Sequence, residues 1–167
     1  MTGRSSKAIT PRLFMPPRWF VRTAWIVHRA IHRLTGGRRG LAHPKGQGGQ
    51  FGYLRLKTVG RRSGRERAAI LGYHEDGSNL VTLAMNGWST PEPAWWINLQ
   101  SQPEATAELK GGTTRAVRAR AAQGEERERL WALLREGTGY GSDLDAYAGL
   151  RAGETAVVVL EPLGGER

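Results

Sequence analysis

The sequence predicts a mostly β protein with helices: a small six-stranded antiparallel barrel, decorated by helices and preceded by a basic arm. Three observations predict it. Six short runs alternate or carry β-branched residues between Leu54 and Leu160. Glycine-rich turn signals such as Asp76-Gly77 and Gly111-Gly112 join several of those runs at hairpin spacing. No long strand–helix–strand rhythm runs through the chain, which argues against a doubly wound parallel sheet.

Composition bounds the problem before any element is placed. The 167 residues suffice for one domain with a real core. The absence of cysteine excludes a disulfide framework, a thiolate metal site and a cysteine nucleophile, and suits a cytoplasmic protein. No run of about twenty apolar residues spans a membrane. The N-terminus lacks the uninterrupted apolar core and cleavage site of a signal peptide.

The net charge of +10 is unevenly placed. Residues 1–50 hold ten of the 25 Lys/Arg and no carboxylate. The rest of the chain therefore balances fifteen cations against all fifteen Asp/Glu. A neutral body argues against nucleic acid as the partner of the whole protein.

The chain divides into a basic arm (1–35), a Gly-rich linker (36–52) and a barrel domain (53–163). After Pro16-Pro17, residues 18–34 read as a helix. At about 100° per residue, Phe20, Ala24, Val27, Ile31 and Leu34 share one face, and Arg18, Arg22, Arg29 and Arg33 the other. Trp19 and Trp25 flank the apolar face. Such a helix suits an anionic membrane surface, contacted through residues 17–35, or equally a barrel or dimer contact through its apolar face, with nucleic acid a third and lesser partner for the arm. His28 and His32 stand one turn apart with no carboxylate nearby, so no metal site is expected. Residues 35–52 read as a linker, or as a loop that orders on a ligand, with His43 and Lys45 solvated.

In the barrel, strands are expected at 53–59, 68–74, 80–85, 105–109, 114–122 and 155–160, the last ended by Pro162. A short helix is expected at 94–102 and a longer one at 124–136. In the latter Leu130, Leu133 and Leu134 face inward, and Glu125 and Arg129 pair at i, i+4. Residues 137–153 read as irregular or weakly helical.

Between the first two strands lies Val59-Gly-Arg-Arg-Ser-Gly-Arg-Glu-Arg67. Gly60 and Gly64 allow a tight turn, and Arg61, Arg62, Arg65 and Arg67 surround it with fixed charge. Two readings stand. The turn is either a hairpin with solvated arginines, or an anion cradle of backbone N–H groups and guanidinium forks fit for phosphate or carboxylate.

A second stretch runs from Asn86-Gly87 through a breaker-rich loop into Ala94-Trp95-Trp96-Ile97-Asn98-Leu99. The start of the helix can face an anion or a ring carbonyl. Trp95 and Asn98 share a side, as the floor and edge of a planar heterocycle would require. Equally, Trp95 is barrel core and Asn98 caps a turn.

Hydrolytic machinery is not in view. His74 is the single histidine of the barrel segment and has no nearby Ser/Asp partner. Glu75/Asp76 and Asp143/Asp145 read as solvated turn and loop acids. An enzyme with this inventory must draw its chemistry from a cofactor.

In order and spacing, Thr58-Val-Gly-Arg-Arg-Ser-Gly-Arg-Glu-Arg67, Asn86-Gly87, Pro93-Ala94-Trp95-Trp96-Ile97-Asn98-Leu99 with Pro103, and Val157-Val-Val-Leu-Glu-Pro162 resemble the deazaflavin-dependent nitroreductase family. The resemblance covers roughly residues 50–162. It implies an FMN-binding-like split β-barrel, coenzyme F420 as cofactor, and hydride transfer to a small electron-poor acceptor: a quinone, enone or nitroaromatic. The N-terminal helix also resembles the membrane-associated N-terminus of some members; the protein is expected to be cytoplasmic or peripheral on the inner face of the cell membrane, as a monomer or homodimer. The preference for Arg over Lys suits a high-GC actinobacterial genome. FMN is the alternative cofactor for this fold class, with haem binding or a non-enzymatic binding module behind it.

By the same resemblance, Thr58, Arg61, Arg62, Ser63, Gly64 and Arg67 receive the phospholactyl and oligoglutamate tail, with Arg62 where the family usually has Lys. Ile70, Met85 and Trp95 stand against the ring, Trp95 and Asn98 flank ring and tail, and Ala68, Asn86, Gly87 and Ala94 complete the cofactor site. The family's Ser-Lys-Gly-Gly block reads Met85-Asn86-Gly87-Trp88 here: the Lys is lost, and Trp88 replaces a glycine. Tyr140, then Tyr147, match the tyrosines that act on substrate in nitroimidazole-reducing members.

Overall fold

The computed structural model describes residues 40–46, 49–86, 91–137, 144–149 and 151–164. The predicted N-terminal helix, the His28/His32 pair, Gly87, Trp88, Tyr140 and Asp143 lie outside the described residues.

Six antiparallel strands close into a barrel in the order β1-β2-β3-β6-β5-β4. They are β1 (Gly52–Val59), β2 (Glu66–Asp76), β3 (Asn79–Leu83), β4 (Glu104–Glu108), β5 (Thr114–Ala121) and β6 (Val157–Pro162). Three hairpins link β1–β2, β2–β3 and β4–β5. Helix α1 (Ala94–Ser101) carries β3 to β4. Helices α2 (Gly124–Glu136) and α3 (Leu144–Gly149) carry β5 to β6.

Alternation decides which side each residue takes. Leu54, Leu56 and Thr58 point into the barrel and are buried, while Arg55 and Lys57 point out. The interior holds Leu54, Leu56, Leu71, Tyr73, Leu80 and Leu160, closed by Trp95, Trp96 and Leu99 of α1. A second apolar cluster lies under α2: Leu130, Leu134 and Leu144 pack on Val81, Leu83, Val157 and Val159. Burial pushes the Tyr73 phenol up to about 12, with Glu75 adding to the shift and Arg115 opposing it.

The six strands stand where the sequence put them, with shifted ends. β3 ends at Leu83: Ala84 N–H still bonds Ala156 O in register with β6 (2.9 Å), but Met85 N–H turns back to Leu83 O (2.8 Å). β6 starts at Val157 and takes in Pro162 opposite Val117, rather than running 155–160. The stretch 137–153, expected to be irregular or weakly helical, contains α3.

Long-range pairing overrides two local expectations. Glu125 and Arg129 do not pair. Arg129 instead forks onto Asp76 (2.7 and 2.8 Å) across the barrel surface, holding the Asp76 carboxyl below its ordinary value. Asp76 is therefore a tether for α2 and not a free turn acid. Asp145 likewise accepts from Trp131 Nε1 (2.6 Å) and pairs with Arg135 (3.5 Å), joining α3 to α2.

His74 is buried on the outer face of β2, edge-on to Phe51, with Nε2 unpartnered. Burial lowers its pKa and keeps the imidazole neutral. A Cβ at Gly137 would run into the ring, so glycine is required where α2 ends. His74 is a packing residue, in accord with a sequence that offers it no catalytic partner.

Candidate functional site

A groove of about 1060 Å³ runs along β1, β2 and the end of β3, floored by outward residues of β2 and reaching the barrel-side residues Thr58 and Leu71 at its edges. Its floor is small and apolar. Ala68, Ile70 and Gly72 follow one another at period two on β2, facing across to Lys57, Arg55 and Tyr53 of β1. A row with so little side-chain relief is flat, which a planar ring requires. Met85 and Asn86 enter from the chain leaving β3, and Pro93, Ala94 and Trp95 from the start of α1. Thr58 and Arg67, a cross-strand pair, close the end nearest the arginine turn.

Of the residues singled out for the cofactor, the structure brings Thr58, Arg67, Ala68, Ile70, Met85, Asn86, Ala94 and Trp95 together around one groove. Trp95 is both things it was read as. It belongs to the buried interior cluster, stacked edge-on to Trp96 at 6.2 Å, and one edge lines the groove.

Among the lining residues that the sequence reading did not single out are Gly40, Leu41, Ala42, Phe51 and Tyr53. They come from, or border, the stretch read as a linker. Ala42 exchanges hydrogen bonds with Tyr53 (3.2 and 2.8 Å), so part of that stretch is a wall laid against β1. Gly52 permits it: a Cβ there would sit 2.6 Å from the Tyr73 ring and 2.7 Å from Pro44. The glycine between two aromatic residues was the signal available in the sequence.

At the Thr58 end the groove opens onto the arginine turn. Gly60 N–H donates to Arg65 O (2.8 Å), and both Ser63 N–H (3.1 Å) and Gly64 N–H (2.8 Å) donate to Gly60 O. Gly64 takes the left-handed conformation, φ 62°. Arg61 N–H donates to Asn98 Oδ1 (3.2 Å), and Arg65 N–H leans on Ser63 Oγ (3.4 Å). This corrects one expectation: most amides of the turn are spent within the protein and cannot cradle an anion. The cations remain. Arg61, Arg62, Arg65 and Arg67 are exposed, and none makes an ion pair with a described carboxylate. The nearby acids are taken. Glu108 binds Lys57 (2.6 Å) and Arg55 (2.8 Å), and Glu66 stands 3.8 Å from Lys57. Burial opposes ionisation of Glu108, but hydrogen bonds from Lys57 and Arg55 outweigh it and hold the carboxyl below its usual range. The result is a flat apolar groove continuing into four uncommitted guanidinium groups. Its shape and charge fit a planar heterocycle with an anionic tail.

Asn98 is not on the groove. It is buried, its carboxamide spent on Arg61 N–H and on Thr58 Oγ1 (3.3 Å). Tyr147 is half-buried on α3 and does not line the groove. Among the described residues no cluster of His, Asp and Glu can hold a metal ion, and no helix is long and apolar enough to cross a membrane.

Comparison with known proteins bears on the same region. The family model for F420H(2)-dependent quinone reductases matches residues 27–165. Rv3178 of Mycobacterium tuberculosis (strain ATCC 25618 / H37Rv), which bears the name of an F420H(2)-dependent quinone reductase, is 35% identical over 78 residues. The aligned part is 47% of this chain and 65% of that relative, so the chain spans less than two thirds of the relative's length. Two solved structures share the fold. One, described as a domain-swapped dimer, is 23% identical with a TM-score of 0.60, over 84% of this chain and 99% of its own. The other, the F420-H2 dependent reductase FDR-A, is 24% identical with a TM-score of 0.57, over 65% and 93%. With its split barrel, its ring-sized groove and its arginine turn, the chain belongs to the F420H(2)-dependent quinone reductase family.

Proposed function

We propose that the protein is an F420H2-dependent reductase that delivers hydride to a small electron-poor acceptor, with a quinone as the first candidate and enones and nitroaromatics behind it. The observation that carries the reading is the continuity of a flat apolar groove with four arginines that pair with no described carboxylate. When bound, reduced F420 supplies a hydride from C5 of its deazaflavin ring.

The chain's own residues bind, orient and exclude water. Ala68, Ile70 and Gly72 offer the ring a flat seat, and Trp95 and Met85 border it. Arg61, Arg62 and Arg67 hold the tail oxygens, with Ser63 as a neutral donor. An anchored tail fixes the ring by charge at one end and by apolar contact at the other, so most of the rate comes from placement. The groove's remaining apolar wall, Leu41, Phe51 and Leu83, gives the acceptor a dry face beside the ring. Tyr140 is proposed to orient the acceptor or supply its proton; Tyr147, which does not line the groove, is the second candidate. Residues 17–35 have the composition of a membrane-surface helix, and the chain following them reaches the groove rim at Gly40. A lipophilic quinone is the acceptor such a surface would supply.

The test is turnover. Reduced F420 mixed with enzyme and menadione should show the return of oxidised-F420 absorbance well above the uncatalysed rate. No acceleration with quinone, enone or nitroaromatic would overturn the reading.

A further inference from the structure

Backbone chemistry fixes the orientation of one buried side chain at the junction of groove and turn. The Arg61 N–H can only donate, so the Asn98 atom facing it must be the oxygen. The Asn98 NH2 then faces Thr58 Oγ1 and donates to it at 3.3 Å. Thr58 is thereby an acceptor toward the protein. A hydroxyl has a single proton, and the Thr58 proton has no acceptor among the described residues. Thr58 is only 3% exposed, and the surface it keeps lines the groove beside Arg67.

We propose that Asn98 is a positioning residue that sets Thr58 as a hydrogen-bond donor into the groove, toward an anionic or carbonyl oxygen at the point where ring gives way to tail. This rests on the F420 reading of the groove. The chain Arg61 N–H to Asn98, Asn98 to Thr58, Thr58 to ligand aligns three donors in one direction, and each bond polarises the next. It also ties two parts of the site together. The carboxamide that orients Thr58 is the one that anchors the first arginine of the turn. Asn98 does not touch the ligand; it decides which way a neighbouring proton points.

The geometry suggests a variant that reverses the donor and leaves the turn in place. In Asn98→Asp, a carboxylate still accepts from Arg61 N–H, but it accepts from Thr58 as well, so the Thr58 proton turns inward. Thr58→Val removes the hydroxyl at nearly constant shape, and Thr58→Ser keeps it. Oxidised F420 is titrated into each folded protein and its fluorescence followed. Thr58→Val and Asn98→Asp should each weaken binding about tenfold, the scale of one lost hydrogen bond to a charged group. Thr58→Ser should stay within about twofold, and the double variant Thr58→Val/Asn98→Asp should be no weaker than either single change, because both delete one interaction. Binding of the deazaflavin chromophore without phosphate or glutamates should serve as the ring-only reference.

Wild-type affinity in Asn98→Asp, or effects that multiply to about a hundredfold in the double variant, would show Asn98 and Thr58 acting independently and overturn the proposal while leaving the F420 reading intact. A folded wild-type protein that does not bind F420 would overturn both.

Discussion

Replacing Arg61, Arg62 and Arg67 together with alanine is expected to raise the Kd for coenzyme F420 by about a hundredfold, with little change in stability. A hydrogen bond to a charged group is worth about 1.5–3 kcal/mol, so three would multiply to more than a thousandfold if fully sheltered. They are exposed, and solvent screening reduces each contribution, which brings the expectation down to about two orders of magnitude. Stability should hold because none of the three guanidinium groups bonds a described carboxylate, and removing them relieves like-charge crowding on one turn. Two further readouts separate a tail clamp from a general loss of the site. The chromophore without its tail should bind the variant and the parent alike. Parent affinity should fall as salt rises, and the variant should lose most of that dependence. Unchanged F420 affinity would make the arginines solvated decoration.

Trp95→Ala should be the most destabilising change at the site. Trp95 is 8% exposed and packs in the barrel interior against Trp96, so truncation removes a large apolar surface and leaves a cavity. Such changes cost about 3–5 kcal/mol, a large share of the 5–15 kcal/mol that holds a domain folded. For a chain of this length the melting temperature should fall by about 10 °C or more. Trp95→Phe keeps an aromatic ring and should cost less than half as much. A thermal scan of both variants decides the matter. If Trp95→Ala melts within about 3 °C of the parent, the side chain is a groove wall only, and its burial contributes little.

These two expectations show what the sequence could and could not reveal. The barrel was legible because its signal is local. Leu54, Leu56 and Thr58 alternate, glycines mark the hairpins, and burial follows the alternation. The arginine turn was legible because its glycines and charges are adjacent in the chain. Part of the groove was named only through the family resemblance, and the residues themselves did not reveal its floor and far wall. Ala68 and Gly72 on the floor are small and carry no apolar signal of their own, and the wall comes from Leu41 and Ala42, in a stretch that reads as linker. Asn98 was singled out as a ring contact, yet its partners are Thr58 and Arg61, 40 and 37 residues distant, and only the folded chain shows that both its hydrogen-bonding ends are occupied. For the same reason Arg129 was paired with Glu125, its helical neighbour, when its partner Asp76 lies on another element.

The central claim is that the groove and the turn form one cofactor site suited to a ring with a long anionic tail. Equilibrium titration of the purified protein with F420, in parallel with FMN, tests it most directly. The account predicts that F420 binds with a Kd of about 10 μM or tighter, and that FMN, with a single phosphate for four arginines, binds at least about tenfold more weakly. FMN binding as tight as F420, or no F420 binding at about 100 μM, would contradict it.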